Sequence, residues 1–465
     1  MTKFRVKGIF FGLIAVLILS LGLAACGDSP TATPSATSPS APPATTAAVT
    51  TTQAVPTTAP ATTPAGVSPI PTVTAPAVTT APPTTAVATT APATTTAPAT
   101  TATMLAYIDA GNLNIIDSNG NNKKTVFTAN GQQVATGRPD WSPDNKNLVV
   151  AVQLNGGANQ LFVAGVSGET RQLIPTQPGG TSDSDPKWSP DGKTVAFTRT
   201  FDNDKNGKFE PGDQHEVWLV DQDGQNPRKL ATGQQASWAP DSKRIAYVTN
   251  GTIKPDLAAP QDNALHLINS QGRNDWEPVN VSKIPTDLSD KGYPFGPSTL
   301  FLQYPTWLDG GKTIGFTTIG HSGLVITINS STGKDLTVWD TQYEGGFGAT
   351  DSIAKGTLLT YQAFPPSGYS TVRLIDISGT PNLEKFGGLN IGSPQEKVVA
   401  LYPALSGSGS ATLAYFKVNS SDATATDPKQ LNGSLVVVPL ANGANSTVQE
   451  KELATGNIQA IAWSK

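Results

Sequence analysis

Several residue types and patterns are scarce in this 465-residue chain, which has one cysteine and three histidines. A single cysteine cannot form an internal disulfide, so the folded part must be stable without one. The few histidines do not have the spacing of a zinc site, and no glycine-rich phosphate loop occurs. No apolar run reaches the roughly 20 residues that a membrane-spanning helix needs. Disulfide-scaffold, zinc-finger and phosphate-loop classes are therefore excluded.

The N-terminal residues have the pattern of an export signal. Three positive charges fall within residues 1–7, and an apolar run extends from Gly8 to Gly22. The run ends in Leu23-Ala24-Ala25-Cys26, which resembles the lipobox of bacterial lipoproteins. That resemblance implies cleavage after residue 25 and diacylation of the Cys26 thiol, for example with palmitate. We therefore predict a signal peptide over 1–25 and a lipidated N-terminus over 26–28. The alternative is an ordinary signal peptide with a chance cysteine.

Two acyl chains hold a protein durably on a membrane. The predicted location is accordingly the extracytoplasmic side of the cell membrane. Residues 29–103 follow, consisting almost wholly of Thr, Ala and Pro, without an acidic, basic or aromatic residue. Such a segment cannot form a core, and its prolines favour an extended chain that reaches at most on the order of 230 Å, at ~3.1 Å per residue. We predict a disordered stalk, open to O-glycosylation; a neutral low-complexity insert is the alternative.

Residues 104–465 contain nearly all of the charge. Without Lys3, Arg5, Lys7 and Asp28, the totals leave 28 basic and 34 acidic residues, a net charge of −6. This balance argues against a nucleic-acid binder, which needs a basic patch. We expect a single monomeric domain with no nucleic-acid partner.

A repeat runs through this region. Trp188-Ser-Pro-Asp-Gly-Lys193 precedes an apolar strand, and related units begin at Trp141, Trp238 and Trp307, at spacings of 47, 50 and 69 residues. Each unit predicts a strand that ends in Trp, a Pro-Asp-Gly type turn and a second strand. A third and a fourth strand follow, which is the composition of a propeller blade.

The units resemble the TolB-type, WD-like propeller repeat, also found in oligopeptidase-like enzymes. We predict an all-β propeller of seven four-stranded antiparallel blades over 104–465. Two units, near 351–364 and 402–416, have lost the tryptophan. The terminal strand at 458–464 is expected to share a blade with the strand at 105–108, closing the ring. Six blades is the alternative.

Long insertions are expected on one face of the propeller, which makes that face the candidate binding surface. They are predicted at 201–214, 250–263, 282–303 and 418–433. One insertion is rich in aromatic residues that can stack on a sugar or grip a peptide: Tyr293, Phe295, Phe301 and Tyr304. The alternative is that these rings simply cover neighbouring blades.

The stretch from Asp202 to Asp213 follows the spacing of an EF-hand calcium loop. Oxygen donors are predicted from Asp202, Asp204, Asn206, the Lys208 carbonyl, Glu210 and Asp213, with Gly207 at the sharp turn. Position 12 is Asp rather than Glu, which shortens its reach, and Glu216 is a substitute. We predict a structural Ca²⁺; a polar hairpin without metal is the alternative.

No catalytic constellation is recognisable. His321 stands beside Ser322, but the strand-to-helix elbow of a serine hydrolase is missing. We therefore predict a non-catalytic module that binds a protein, a peptide or an envelope glycan. One alternative is a polysaccharide lyase or hydrolase in the central funnel, with candidate residues Asp140, Asp185, Lys187 and Asp351. The other is an envelope assembly factor, by fold analogy with TolB.

Overall fold

In the computed structural model the described part of the chain begins at residue 103. It comprises residues 103–175, 177–210, 212–250, 262–285, 301–319, 322–343, 345–352, 356–365, 367–407, 411–419 and 431–465. The predicted signal peptide, Cys26 and nearly all of the predicted stalk lie outside it, as do Tyr293 and Phe295. None of the helices in the described part is both long and apolar enough to span a membrane.

The described residues form 28 strands and three short 3₁₀ turns, at Val281–Lys283, Asp309–Gly311 and Gly443–Asn445. The first fourteen strands are β1 (Met104–Asp109), β2 (Asn112–Asp117), β3 (Lys124–Phe127), β4 (Gln133–Trp141), β5 (Asn147–Leu154), β6 (Asn159–Gly165), β7 (Thr170–Gln172), β8 (Thr181–Trp188), β9 (Thr194–Phe201), β10 (Gln214–Asp221), β11 (Arg228–Thr232), β12 (Gln234–Trp238), β13 (Arg244–Val248) and β14 (Ala264–Asn269). The others are β15 (Trp276–Asn280), β16 (Phe301–Leu308), β17 (Thr313–Ile319), β18 (Ser322–Asn329), β19 (Thr337–Tyr343), β20 (Gly346–Ser352), β21 (Leu358–Phe364), β22 (Thr371–Asp376), β23 (Leu389–Ile391), β24 (Val398–Leu405), β25 (Thr412–Asn419), β26 (Gly433–Pro439), β27 (Lys451–Gly456) and β28 (Ile458–Trp463).

These strands make seven four-stranded antiparallel sheets. Blade A has the strand order β28-β1-β2-β3. Each further blade takes the next four strands of the chain: B is β4–β7, C is β8–β11, D is β12–β15, E is β16–β19, F is β20–β23 and G is β24–β27. The first strand of each blade contacts the first strand of the next, so that the ring closes from β24 through β28 to β4. The seven-bladed propeller is confirmed, and so is the blade shared by the two ends of the domain. Such sharing pairs strands that would otherwise present free edges.

The core lies between the blades. Seven clusters of buried apolar side chains occur in the described part, one at each junction between neighbouring blades. Within β5, Leu148 and Val150 face blade A, whereas Val149 and Ala151 face blade C. A strand buried on both faces needs a continuous apolar run rather than an alternating one. This requirement explains the unbroken apolar segment after each turn of the repeat.

The tryptophan of the repeat joins one blade to the preceding one. Trp141 Nε1 donates to the Ala462 carbonyl at 3.1 Å, and Trp307 Nε1 donates to the Ser237 carbonyl at 3.0 Å. Trp238 and Trp463 make the equivalent bond, whereas the buried Nε1 of Trp188 has no hydrogen-bond partner among the described residues. A buried indole N–H needs such an acceptor, since leaving it unpaired costs about 1–3 kcal/mol. The motif is therefore a device of assembly rather than of chemistry.

Strand direction divides the loops between two faces. The turns between first and second strands, such as 189–193, lie on one face. The connections from second to third strands, and from fourth strands to the next blade, lie on the other, which we call the loop face. All four predicted insertions fall on such connections: β9 to β10, β13 to β14, β15 to β16 and β25 to β26.

Candidate functional site

The connection between β9 and β10, on the loop face, gathers three carboxylates. One oxygen each of Asp202, Asp204 and Asp213 lies within 4.8 Å of the others. Three acidic side chains this close repel one another unless a cation lies among them. Carboxylate oxygens are the ligands that hard divalent cations such as Ca²⁺ prefer. The cluster could therefore hold a metal ion.

The loop is shaped by its own acidic side chains. The Asp202 carboxylate accepts the backbone N–H groups of Asn206 at 3.0 Å and Gly207 at 2.9 Å. Asp204 also accepts from the Asn206 backbone, at 3.1 Å. Gly207 has φ of +79°, a conformation that glycine adopts at little cost. The sharp turn expected at this glycine is thus present.

Asp213 closes the loop from its far end. Its carboxylate accepts the N–H groups of Asn203 at 3.3 Å and Glu210 at 2.8 Å, and the residue is buried. The Glu210 carboxylate, a predicted ligand, is not among the three clustered groups. The Asn206 amide oxygen accepts the Lys208 N–H at 2.7 Å. The structure therefore brings three of the six predicted donors together through their carboxylates.

Glu216, the suggested substitute ligand, is engaged elsewhere. One of its oxygens accepts from Lys229 and Gln214, both at 2.6 Å, and the other accepts from Trp218 at 2.9 Å. Desolvation opposes ionisation of Glu216, but these hydrogen bonds hold its pKa below the ordinary value. Glu216 therefore links β10 to β11. Asp213, and not Glu216, is the carboxylate that could bind a metal at the end of the loop.

Beneath this loop, blade C contains a buried ion pair that the sequence patterns did not reveal. Arg199 donates from Nε and Nη2 to the two oxygens of Asp183, both at 2.8 Å. The two side chains are 3% and 0% exposed, respectively. The guanidinium also lies 4.4 Å from the Trp218 ring centre. Next to it, His215 Nδ1 and Thr200 Oγ1 are 2.8 Å apart, which joins the strand ends that bear the loop.

Charged side chains from distant blades converge on the central channel. Arg138 of blade B reaches Asp351 of blade F, with Nη2 and Oδ2 2.6 Å apart. Blades B and F are not neighbours in the ring, so this ion pair crosses the axis. Lys187 of blade C lies in the electrostatic field of both residues and of Asp140. The channel is consequently polar and charged rather than filled with apolar side chains.

Two of the carboxylates suggested as funnel catalysts join neighbouring blades. Asp140 accepts the Trp188 backbone N–H at 2.8 Å, and Asp351 accepts the Leu405 N–H at 2.8 Å. Asp140 also pairs with Lys465 Nζ at 2.8 Å, and Asp351 pairs with Arg138. These contacts give both carboxylates a structural role at the ends of the inner strands.

Four inner strands carry a β-bulge three residues before the position of the repeat tryptophan, which Leu405 occupies in β24. Asp185, Gln235, Tyr304 and Tyr402 all have φ between +49° and +57° there, and the pairing register shifts at each. This left-handed conformation is uncommon for residues other than glycine. A bulge leaves one N–H out of the ladder, and side chains of preceding blades accept it: Gln235 Oε1 takes the Tyr304 N–H at 2.8 Å.

The sequence contains a local signal for these bulges. In three of the four, the residue is followed by proline: Asp185-Pro186, Tyr304-Pro305 and Tyr402-Pro403. Proline has no N–H for the ladder, so within a sheet it marks an edge or a bulge. Such a dipeptide three residues before the strand end therefore identifies a channel-lining position.

Phe301 and Tyr304, two of the aromatic residues predicted for the binding face, occupy different positions in β16. Phe301 begins β16 and is partly buried, whereas Tyr304 stands at a bulge within that strand. Burial raises the pKa of Tyr304 to about 12, and the Asp185 carboxylate adds to the shift. Tyr304 thus lies within an inner strand at the channel, and not in the insertion predicted from the sequence.

No protein-family model and no curated protein sequence matches the chain. Solved structures with a similar fold include TolB from Acinetobacter baumannii, at 16% identity and a TM-score of 0.42, over 63% of this chain and 64% of that one. The chain thus spans slightly less than two thirds of that TolB.

Two enzymes are also similar in fold. They are an oligogalacturonate lyase from Vibrio parahaemolyticus (9% identity, TM-score 0.42, 57% of this chain and 69% of that one) and an acylaminoacyl peptidase from Pyrococcus horikoshii (12%, 0.45, 74% and 48%). Likenesses this distant concern the fold alone, and a propeller fold hosts many functions.

Proposed function

We propose that this chain is a lipid-anchored extracytoplasmic binding protein, whose propeller presents a calcium-ordered loop face to a protein, a peptide or an envelope glycan. The observation that carries the proposal is the position of the Asp202–Asp213 loop. This loop combines a carboxylate cluster with a predicted calcium spacing, on the face that receives all four predicted insertions. Loops on a rigid scaffold commonly form binding surfaces.

The anchor rests on the sequence of the first 26 residues. A basic start, an apolar run and Leu23-Ala24-Ala25-Cys26 occur in the order that lipidation requires. In a bacterial host, an alkyne analogue of palmitate should label the chain, and the label should be lost in Cys26→Ser but kept in Ser29→Ala. Label retained by Cys26→Ser would contradict lipidation at Cys26, and it would have no bearing on the proposed binding role.

A metal in the loop would act by ordering the loop face. Asp202 follows β9 directly and Asp213 precedes β10, so a cation shared by their carboxylates would fix both ends of the connection. Ca²⁺ accepts six to eight oxygen ligands in flexible geometry, whereas Mg²⁺ demands a near-ideal octahedron. A loop that offers mixed carboxylate and carbonyl oxygens is therefore better suited to calcium.

Thermal unfolding of the full chain with Ca²⁺, with Mg²⁺ and with chelator tests this step. Calcium at a hundredfold excess over its Kd should stabilise the fold by about 2.7 kcal/mol, and magnesium should do less. Asp202→Ala should abolish the shift. Asp223→Ala is the matched control, because Asp223 is an exposed turn carboxylate of the same blade.

The binding role itself requires a separate measurement. Cosedimentation of the full chain with isolated cell-wall glycan, and capture on immobilised envelope peptides, should show binding that calcium strengthens and chelator weakens. Binding that does not depend on calcium would show that the ligand does not need the ordered Asp202–Asp213 loop. No binding to either material, together with turnover of a polysaccharide, would favour the funnel-enzyme alternative.

A further inference from the structure

A cavity of about 320 Å³ lies between blades B and C. Both blades supply its walls, through Asn147, Val163 and Arg171 of blade B and Trp188, Gln222 and Asp223 of blade C. Trp188 ends β8, and Gln222 and Asp223 belong to the turn after β10, so the cavity lies on the face opposite the loop face. Ligand pockets in proteins measure about 300–1,000 Å³, and a cavity at the lower end of that range suits a ligand of the size of one sugar unit.

Trp188 differs from the other tryptophans of the repeat. Those four donate from Nε1 to a carbonyl of the preceding blade: Trp141, Trp238, Trp307 and Trp463. The corresponding acceptor for Trp188 would be the Asp140 carbonyl, yet Trp188 Nε1 is buried without a hydrogen-bond partner among the described residues, and the side chain is 4% exposed. An unpaired buried donor costs about 1–3 kcal/mol. A ligand oxygen that accepts from this N–H would therefore remove a penalty that the free protein already has.

Two opposite charges at the cavity are accessible to a ligand. Arg171 and Asp223 are exposed, and neither forms an ion pair within 4.0 Å in the described part of the chain. Arg171 Nη2 donates to the Gln222 carbonyl at 2.6 Å, which holds the guanidinium between the two blades. Asp223 Oδ1 accepts the Gln225 N–H at 3.0 Å. A guanidinium with further N–H groups binds a carboxylate through two parallel hydrogen bonds, and a carboxylate accepts from hydroxyl groups.

We propose that this cavity binds a small hydroxylated carboxylate, such as one acidic sugar unit. The ligand carboxylate pairs with Arg171, its hydroxyl groups donate to Asp223, and one of its oxygens accepts the Trp188 N–H. Because no hydrogen bond fixes the Trp188 indole, the ring can adjust to that oxygen. The side-chain amides of Asn147 and Gln222 offer both donors and acceptors to the remaining hydroxyl groups. This site is on the face opposite the loop face, so it does not depend on the proposed calcium-ordered surface.

Ligand-observed NMR titration of the full chain tests the ligand class with three probes. Glucuronate has a carboxylate and hydroxyl groups, glucose has hydroxyl groups alone, and acetate has a carboxylate alone. Glucuronate makes both kinds of contact, so it should bind about tenfold or more tightly than either of the others. Equal binding of all three probes, or no binding of glucuronate at millimolar concentration, would overturn the proposal.

A variant of the cavity arginine and a matched control test the charge contact. Arg171→Gln should abolish the preference for glucuronate over glucose. Arg228→Gln is the control, because Arg228 of blade C makes the equivalent contact with the Ser270 carbonyl of blade D, at 3.4 Å, and does not line the cavity. A preference that survives Arg171→Gln, or that Arg228→Gln removes to the same extent, would contradict the assignment. Both arginines are exposed, so both variants should fold, which the unfolding midpoint checks.

The indole N–H signals of an isotope-labelled full chain locate the ligand. The signal of Trp188 is identified by its loss in Trp188→Phe. Glucuronate should move this signal, whereas the signals of Trp307 and Trp463, whose N–H groups are bonded within other blades, should stay in place. Glucuronate that binds without moving the Trp188 signal would occupy another site, and the assignment to this cavity would be wrong.

Discussion

Asp183 and Asp185 lie two residues apart on β8, yet their surroundings are opposite. Asp183 faces the interior of blade C, where Arg199 supplies two hydrogen bonds and both side chains are removed from water. Asp185 stands at the bulge and projects into the channel without a charged partner. Burial raises the pKa of both carboxyls, but Arg199 satisfies Asp183 with two hydrogen bonds, whereas Asp185 has no ion-pair partner within 4.0 Å among the described residues. The difference teaches that a bulge can give two nearby positions of one strand opposite surroundings, one buried and one exposed.

The largest expected effect is the loss of the buried pair. Arg199→Met leaves Asp183 buried without its counter-charge, which typically destabilises a protein by about 3–5 kcal/mol. Urea unfolding would show this as a lower midpoint. Arg199→Met combined with Asp183→Leu should recover much of the loss, because no buried charge then remains. Arg228→Met is the control, since Arg228 is exposed and makes only a pair with Asp221 at 4.0 Å and a hydrogen bond to the Ser270 carbonyl at 3.4 Å.

A smaller loss of stability is expected when the ion pair between Arg138 and Asp351 in the channel is removed. Arg138→Met removes the ion pair across the axis, but Asp351 keeps the Leu405 N–H and some contact with water. The loss should be about 1 kcal/mol, between the buried and the exposed cases. A loss as large as that of Arg199→Met would mean that the Arg138–Asp351 pair is as far removed from water as the Arg199–Asp183 pair.

The smallest effect, and a gain rather than a loss of stability, is expected for Asp185→Asn. Because the folded-state pKa of Asp185 is raised, ionisation of this group destabilises the fold. Below its ordinary pKa of 3.8 the variant and the original chain should be equally stable. As the pH rises above 3.8 the variant should become the more stable of the two, and the difference should be complete above the folded-state pKa.

Unfolding midpoints measured from pH 3 upward check this difference. A variant that is less stable at neutral pH would show that Asp185 has a stabilising partner. Lys187→Gln should mirror the behaviour at the alkaline end, since the pKa of Lys187 is lowered from 10.5. Its gain at neutral pH should shrink as the pH rises above the folded-state pKa of Lys187 and should be gone above 10.5, where the amine is neutral in both the folded and the unfolded chain.

Much of the fold could be predicted from local patterns. The Trp-Ser-Pro-Asp-Gly-Lys unit marked the strand ends, and the apolar runs marked strands buried on two faces. The spacing of Asp202, Asp204 and Asp213 predicted their convergence, because ligands within one short loop are brought together by the loop itself. The role of Glu216 was not predictable, since its partner Lys229 comes from the neighbouring strand.

The sequence by itself determined the propeller, the shared blade and the calcium-like loop. Each of these follows from residues close in the chain or from a repeat that shows the same unit several times. Only the tertiary structure decided that Asp140 and Asp351 join blades while Asp185 and Lys187 remain unpaired in the channel. The partners of these residues lie in other blades, 48 to 325 positions away in the chain. Ring closure sets such contacts, and no local pattern encodes them.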